Sequence, residues 1–561
     1  MPLALLAIAF IVLLTAAYRL YGGWVARQFQ LDDTTTTPAH THEDGVDFVP
    51  TRPFYLFAQH FSAIAAAGPI AGPILACQSF GWLPCLLWIS LGVVLIGAVH
   101  DFSTLTASVR HGARSIAEIA REHLGTRAGR ALMVFIWIAL IYVIVAFSDI
   151  TAASFVVGTE ELQQGAVKFN PGGAVAIASV MYLGLSILLG FVQRFLKPPL
   201  WLATVIFVPA TFGLAWLGTH LSHVLVLSHT TWALIIIGYC AVASVVPMWA
   251  LLQPRGYLGG FVLYSALLVG VIGLLFGGYD VQQPAFKGWN VGGMTGSLFP
   301  FLFVTIACGA CSGFHGLVCS GTTCKQIDRE SHIHPIGYGA MLAEGFVALI
   351  ALVTIMIARP DAIQGLAPGT IYGNGIGQFM TLVIGQDKLA FAVTFGAMAF
   401  STFVFDTLDV SMRLGRYLLQ ELFGWQNRRG ALAATLATVA IPTYFLAFGE
   451  KGTWLKFWTI FGASNQLLAA LSLLVITVWL KQARKRISFT LYPMLFVLVI
   501  TLWAITKLLI ANLKAAHGFD IAFMNALSAA VLVVLALFLV GSALVKLRRE
   551  RGRGILAPQV D

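Results

Sequence analysis

Apolar residues run along this chain in stretches of about 20, separated by short polar stretches. About 20 apolar residues in a helix cross a bilayer, and this length predicts 15 membrane-spanning helices. We therefore expect an all-α polytopic membrane protein. The predicted helices fall at approximately 2–22, 54–78, 82–109, 131–157, 172–192, 199–218, 231–249, 258–277, 298–321, 336–358, 388–410, 430–448, 454–480, 489–511 and 521–545.

Small residues interrupt two of these stretches. The first interruption is Gly68-Pro69-Ile70-Ala71-Gly72-Pro73, and the second runs from Cys308 to His315 and on to Lys325. Glycine and proline free backbone polar groups, which are tolerated at membrane depth only where they line a cavity or meet a ligand. Matched broken helices in two halves of a chain mark the binding site of secondary transporters.

Positive charge sets the predicted orientation. Only 10% of residues are charged, against about 25% in soluble domains. With the N-terminus outside and the C-terminus in the cytoplasm, 26 of the 34 Lys and Arg residues lie in the cytoplasm, in accordance with the positive-inside rule. The net charge of +10 thus serves topology, and no nucleic-acid partner is expected.

The two interrupted helices start on opposite sides in this scheme, which is the layout of an inverted repeat. The expected organisation is a leading helix at 1–30, a polar loop at 31–53, a first half at 54–297, a second half at 298–545 and a basic tail at 546–561. The first apolar stretch lacks a basic segment before it, so we interpret it as a retained helix and not as a signal peptide.

Four motifs, in order over about residues 50–480, carry a resemblance to a known family. They are HFSAIAAAGPIAGP at 60–73, CGACSGFH at 308–315 with SGTTCKQ at 320–326, FDTLD at 405–409 with RLGRY at 413–417, and FGASNQLLAA at 461–470. Together they resemble the signatures of the carbon starvation protein A (CstA) family. Cys311 and Cys324 stand where the family pattern leads us to expect other small residues.

The resemblance implies a carrier of small carbon sources in the bacterial inner membrane. Family members are associated with proton-driven uptake of pyruvate and with uptake of peptides. The resemblance also implies a LeuT-like inverted-repeat fold with two broken helices, here with extra helices in each half.

Substrate contact is expected at the two interruptions, where a half-helix N-terminus attracts a carboxylate and glycine lets a ligand approach the main chain. The alternative is a kinked helix whose glycines pack against neighbouring helices. Cys308-x-x-Cys311 with His315 also has a spacing compatible with a metal, but cysteine is a common small packing residue, and no metal or cofactor is expected. The candidate substrate residues are Gly68, Pro69, Gly72, Pro73, Gly309, Ser312, Gly313, Phe314, His315 and Thr322.

Ionisable residues within apolar stretches are costly and are candidates for ion or proton coupling. Asp406 and Asp409 share a helix face, and Asp406 has no partner nearby in the sequence. Asp409 lies four residues before Arg413, so a structural ion pair is the alternative for it. The candidate coupling residues are His60, Asp101, Asp149, Thr402, Asp406 and Asp409.

The sequence predicts a secondary active transporter and not an enzyme. The chain lacks a Gly-x4-Gly-Lys-Ser/Thr motif for ATP, so a gradient must drive transport. The expected partners are pyruvate or a short peptide, a proton and the lipid bilayer. The alternatives are a sodium-coupled carrier, a channel, a nutrient sensor and a membrane-embedded enzyme that uses the Cys/His cluster.

Overall fold

A computed structural model of the chain is almost entirely helical, and it describes residues 3–44, 47–65, 67–156, 169–292, 296–425, 427–449 and 454–555. The last six residues of the predicted basic tail, 556–561, lie outside these ranges. The α-helices are α1 Leu3–Ala17, α2 Gly23–Phe29, α3 Pro38–Thr41, α4 Pro53–Ile64, α5 Gly68–Phe80, α6 Trp82–Gly92, α7 Ala98–Arg110, α8 Ile116–Leu124, α9 Thr126–Phe155, α10 Pro171–Phe191, α11 Leu200–His220, α12 His229–Val245, α13 Leu252–Phe276, α14 Leu298–Thr305, α15 Gly313–Gly321, α16 Ala340–Met356, α17 Pro368–Ile384, α18 Leu389–Phe423, α19 Arg428–Phe448, α20 Trp454–Gln482, α21 Ser488–Ala515 and α22 Ile521–Ile555.

Short π-helical turns join some of these helices into continuous spans, and the two strands form a small antiparallel hairpin. The π-helical turns are Tyr18–Gly22, Val93–Gly97, Val192–Leu196 and His334–Gly339, and the strands are β1 Asn290–Gly292 and β2 Gly296–Ser297.

Among the described residues, 12 helices are long and apolar enough to cross a membrane, or 13 when the bent pair α4 and α5 is one span. The predicted all-α polytopic fold is confirmed, whereas the predicted count of 15 is not. The two remaining predicted spans correspond to α12, a 17-residue apolar helix, and to the short helices α14 and α15.

Contacts between chain segments define one face of the molecule, here called the basic face. Arg110 Nη2 lies 2.8 Å from Glu330 Oε2, and its Nη1 donates to the Phe29 carbonyl at 2.9 Å. Lys485 Nζ donates to the same carbonyl at 3.0 Å. The charge distribution assigns all four residues to one side of the membrane, and the structure brings them together.

The two interrupted helices enter from opposite faces. The segment before α4 meets the basic face, where Thr51 N donates to the Gln326 carbonyl at 3.1 Å. The segment before α14 meets the other face, where Lys507 Nζ donates to Ser297 Oγ at 3.0 Å. This arrangement agrees with the opposite orientations on which the predicted inverted repeat depends.

The helix α17 is absent from the sequence-based prediction. It packs alongside only the first three turns of α18, as the contacts of Gly377 with Val393 and of Gly369 with Phe400 show. Four glycines make it too weakly apolar for a span, and they let it pack closely against α18. Its 17 residues pack along only the N-terminal part of α18, so α17 does not add a full membrane crossing to the topology.

Burial separates a central group of helices from a lipid-facing group. In the apolar stretch of 18 residues within Leu455–Gln482, 94% of the residues are buried in the protein, and in that of Glu330–Met356, 83% are buried. By contrast, the share of buried residues is 22% in the corresponding stretch of Leu200–His220 and 28% in that of Ile521–Arg548. Because lipid solvates apolar side chains as well as the protein interior does, exposure of the outer helices is stable.

Candidate functional site

The first interruption lies slightly before its predicted position. Helix α4 ends at Ile64 and α5 begins at Gly68, with a bend of 43° between them. Pro69 stands in the first turn of α5, where its missing N–H costs no helical hydrogen bond. Pro73 lies within the helix. The Gly-Pro pairs therefore begin a half-helix, and the segment 68–73 is not unwound as its prolines suggested.

The second interruption leaves the chain non-helical between Thr305 and Gly313. Two indoles satisfy carbonyl groups that this interruption frees: Trp88 Nε1 donates to the Ile306 carbonyl and Trp458 Nε1 to the Thr305 carbonyl, both at 3.2 Å. Buried carbonyl groups need such partners. The indoles thus fix the entrance to the second interruption.

Asn465 of α20 holds the far side of the same interruption. Its Oδ1 accepts the backbone N–H of Phe314 at 2.8 Å, and its Nδ2 donates to Ser312 Oγ at 3.1 Å and to Cys308 Sγ at 3.3 Å. The amide caps the N-terminal turn of α15 from a neighbouring helix. Asn465 therefore forms hydrogen bonds between α20 and the second interruption.

The two interruptions pack against each other. A Cβ atom at Gly68 would collide with Cys308, and one at Gly72 would collide with the carbonyl oxygen of Thr305. Gly309 faces the Cα atom of Pro69. These glycines let two backbones approach each other, as the packing alternative requires, and they bring the two half-helix N-termini to one place.

A small cavity lies at this meeting point. Most of its lining is apolar, and the polar side chains are those of Ser312, His315 and Thr407. Helices α5 and α15 both begin at the cavity and run to opposite faces. The lining residues are Ile64, Gly68, Pro69, Val143, Phe147, Cys308, Ser312, Phe314, His315, Thr407 and Phe461.

Behind the cavity wall, His315 lies between two acidic side chains from different helices. Its Nδ1 is 2.8 Å from Asp101 Oδ2, and its Nε2 is 3.1 Å from Glu344 Oε2. The other Asp101 oxygen is 2.7 Å from Nδ1 of His100. All four side chains are at most 1% exposed. We call these four residues the acid–histidine cluster.

Local structure places the cluster. A π-helical turn at Val93–Gly97 precedes His100 and Asp101 by about one turn, and such turns are frequent at functional sites. Gly316 lies beside the ring of His100, and a Cβ atom at position 316 would contact Nε2 of His100. Helices α7 and α15 therefore approach closely, and their polar residues meet.

A second charged group surrounds Arg255, whose side chain is fully buried. Its Nη2 lies 2.6 Å from Asp406 Oδ1, and its Nη1 lies 2.6 Å from Asp409 Oδ2. Tyr239 Oη donates to Asp409 Oδ2 at 2.9 Å. We call these four residues the arginine cluster. Arg255 therefore supplies positive charge to Asp406, where a bound ion or a proton was predicted.

The alternative pairing of Asp409 with Arg413 is not what the structure shows. Arg413 Nη2 donates to the carbonyl groups of Ala243 and Val246, both at 2.8 Å. Arg255 takes the place that the sequence spacing suggested for Arg413.

The remaining candidates lie elsewhere. Asp149 Oδ1 is 3.1 Å from Nε2 of His229, and His60 Nδ1 is 2.8 Å from the hydroxyl of Thr323. The Thr402 methyl group lies on the same side of α18 as Asp406, near Gly259.

Thr322 follows the C-terminus of α15 and bonds the Val318 carbonyl at 3.2 Å. It lies nine residues beyond Gly313, which corresponds to about 14 Å along a helix. The structure therefore does not bring Thr322 to the second interruption with the other substrate candidates.

One charged partner of the candidate residues, Arg255, was missing from the prediction. Arg255 precedes the predicted span 258–277 because the helix begins earlier, at Leu252. A signal was available, since two acids deep in one span require a counter-charge. Glu344 stands alone in an apolar stretch, and only the fold brings it to His315. His315 contacts Asp101 and Glu344. It therefore does not join Cys308 and Cys311 in the metal arrangement that the spacing allowed.

Comparison with known proteins agrees with the motifs. The family model described as "Carbon starvation protein CstA" matches residues 2–374 and 359–504. The peptide transporter CstA of Campylobacter jejuni is 33% identical over 574 residues, which cover 89% of this chain and 79% of that protein. The pyruvate/proton symporter BtsT of Escherichia coli is 30% identical over 606 residues, covering 92% and 82%.

Among solved structures, the manganese transporter of Eremococcus coleocola in complex with an aromatic bis-isothiourea substituted compound is similar to this chain. It has a TM-score of 0.44 at 14% identity, with 90% of this chain and 99% of that chain covered.

Proposed function

The chain belongs to the carbon starvation protein CstA family and is a multi-pass membrane transporter, and we propose that it imports a small carboxylate together with protons. The favoured substrates are pyruvate and, after it, short peptides. The observation that carries the proposal is the cavity between two half-helix N-termini, with His315 on its wall and two buried acids behind it.

The cavity suits a small anion. Helix N-termini carry partial positive charge and attract carboxylates, and α5 and α15 both start there. The apolar part of the lining suits the methyl group of pyruvate. The tight packing of Gly68 against Cys308 leaves little space in this conformation, so binding of a substrate requires the two interruptions to move apart.

The acid–histidine cluster is the proposed proton carrier. A buried carboxylate must be paired or protonated, and here one imidazole lies between two carboxylates. Neither oxygen of Glu344 makes a hydrogen bond of good geometry among the described residues. A proton can therefore bind Glu344 without breaking an existing hydrogen bond, and His315 connects that site to the cavity.

The arginine cluster is proposed to have a structural role instead. The guanidinium group of arginine does not lose its proton in proteins, and it contacts both acids directly. Its side chains come from α12, α13 and α18. The cluster thus connects three helices. Of the residues that line the cavity, only Thr407 lies between Asp406 and Asp409 in the sequence.

The coupling ion determines the energetics. One proton carried with one pyruvate anion moves no net charge, so the pH gradient alone drives uptake. One pH unit is worth about 1.36 kcal/mol, which supports roughly tenfold accumulation. If a second proton entered with each anion, a potential of 100 mV would add about 2.3 kcal/mol.

The test is uptake of labelled pyruvate into proteoliposomes under separate pH, sodium and voltage gradients. Asp101→Asn and Glu344→Gln should abolish accumulation driven by a pH gradient while pyruvate exchange continues, since exchange requires no net proton movement. Asp149→Asn is the matched control, because it also removes a buried acid paired with a histidine.

Other outcomes identify the alternatives. Accumulation driven by sodium and not by pH would replace the proton with sodium. Normal pH-driven accumulation in both cluster variants would remove the cluster from the mechanism. Saturable uptake of labelled peptides, with pyruvate not competing, would reassign the substrate. Conductance that does not saturate would favour a channel.

A further inference from the structure

Two histidines and a glutamate converge at the basic face, away from the cavity. His111 directly follows α7, and Glu122 and His123 lie in the last turn of α8. The Nε2 atoms of His111 and His123 are 2.9 Å apart, and one ligand atom from each of the three residues lies within 4.8 Å of the others.

Local chain geometry creates this approach. Gly112 and Ala113 have positive φ angles of 72° and 61°, which reverse the chain after His111. Ser115 then caps α8 in a reciprocal arrangement with Glu118. The reversal at two consecutive positive φ angles is unusual for alanine, and it brings the last turn of α8 over the end of α7.

The outer ring nitrogens show which atoms face each other. Nδ1 of His111 lies 2.6 Å from the Ala107 carbonyl, which only accepts hydrogen bonds, so this Nδ1 carries the proton. Nδ1 of His123 lies within hydrogen-bond distance of Gln482 Oε1. Each imidazole donating outward leaves its Nε2 lone pair directed at the other ring.

Two facing lone pairs repel each other unless a positive charge lies between them. Metal-binding histidines typically donate their other N–H to a carbonyl or carboxylate oxygen, as both rings do here. We propose that His111, His123 and Glu122 bind a divalent transition metal, with Zn²⁺ the expected ion and water completing the coordination.

The geometry requires little adjustment for this ion. Zn–N bonds of about 2.0–2.1 Å in a tetrahedral site place two nitrogens about 3.3 Å apart, so the rings need to separate by about 0.4 Å. Glu122 Oε2 also accepts from Arg114 at 2.7 Å, which leaves its second oxygen for the metal. Because Gln482 ends α20, the site connects the ends of α7, α8 and α20.

The test uses the full-length protein without a histidine tag, purified in detergent and treated with a chelator. Titration with Co²⁺ should give ligand-field absorption in the visible range at one equivalent per chain, and Zn²⁺ should remove it. His123→Ala should abolish the signal, whereas His220→Ala, an exposed histidine at the end of α11, should leave it unchanged.

Two further variants separate binding from folding. His123→Cys should restore one equivalent of Co²⁺ and add a thiolate charge-transfer band, which a purely structural histidine would not produce. Gln482→Leu should weaken binding about 10- to 100-fold, as removal of a ligand-orienting partner does.

Absence of Co²⁺ binding in the unsubstituted protein, or equal stoichiometry in His123→Ala, would overturn the proposal. A hydrogen-bond chain from His111 through His123 to Gln482 would then be the role of these residues. Transport activity is not a readout here, so failure of this proposal is independent of the proposed function.

Discussion

Replacing Arg255 tests whether the arginine cluster stabilises the fold. Arg255→Met keeps most of the side-chain volume but leaves the carboxylates of Asp406 and Asp409 without their cation, at 16% and 2% side-chain exposure. Removing one partner of a buried ion pair costs about 3–5 kcal/mol. With an unfolding entropy of about 2.1 cal/mol/K per residue, a chain of 561 residues should lose about 3–4 °C in apparent melting temperature.

The assay is thermal unfolding of detergent-purified protein, followed by the reactivity of the buried cysteines toward a fluorogenic thiol reagent. The triple variant Arg255→Met, Asp406→Asn, Asp409→Asn removes all charge from the cluster and should recover most of the loss, because no uncompensated carboxylate remains. Arg429→Met is the control, since Arg429 is exposed and exposed substitutions usually change stability by less than about 0.5 kcal/mol.

Two results would refute this reasoning. Arg255→Met with the melting temperature of the unsubstituted protein would mean that the acids do not depend on Arg255 for charge compensation. A triple variant less stable than Arg255→Met alone would mean that the three side chains stabilise the fold by contacts other than their charges.

Three further predictions concern other parts of the fold. Asn465→Leu should destabilise the protein by about 1–3 kcal/mol because the Phe314 N–H loses its buried acceptor, measurable in the same thermal assay; an unchanged melting temperature would contradict this. Gly462→Ala should prevent normal packing of α20 at the second interruption, where a Cβ would collide with a carbonyl oxygen, and monodisperse elution with full uptake would contradict it. Hydrogen bonds from the backbone and side chain of Ser331 lower the pKa of Asp33, so its stabilising effect is present above the ordinary pKa of about 4 and is lost as pH falls through the lowered value. Protection of the Ser331 amide, measured by mass spectrometry as its exchange rate relative to the intrinsic rate at each pH, should therefore fall in acid in the unsubstituted protein and show no such acid step in Asp33→Asn.

Sequence patterns predicted the features that depend on local composition. Apolar length located 15 helical regions, and glycine with proline located both interruptions, because these residues act on their own backbone. The sequence therefore placed the interruptions near Gly68 and Gly309, although the first bend itself falls before Gly68. Helix α17 was missed because its glycines weaken the apolar signal on which the prediction rested.

Partners that are distant in sequence could not be found in this way. Arg255 and Asp406 are 151 residues apart, and His315 and Asp101 are 214 apart. Periodicity carries no information on which helices become neighbours, so Asp406 had no visible partner. The spacing of Cys308, Cys311 and His315 likewise gave no information on the actual partners of His315. Those partners are acids that come from other helices.

The extreme burial of the span Leu455–Gln482 has a consequence for how the protein tolerates variation. A lipid-facing helix accepts most apolar replacements, because acyl chains adapt to any side-chain shape. A helix enclosed by protein has close-packed neighbours all round, and changes of even one methylene group are felt there. Saturation mutagenesis should accordingly find α20 intolerant around its whole circumference, whereas the outermost helices should tolerate change on one side.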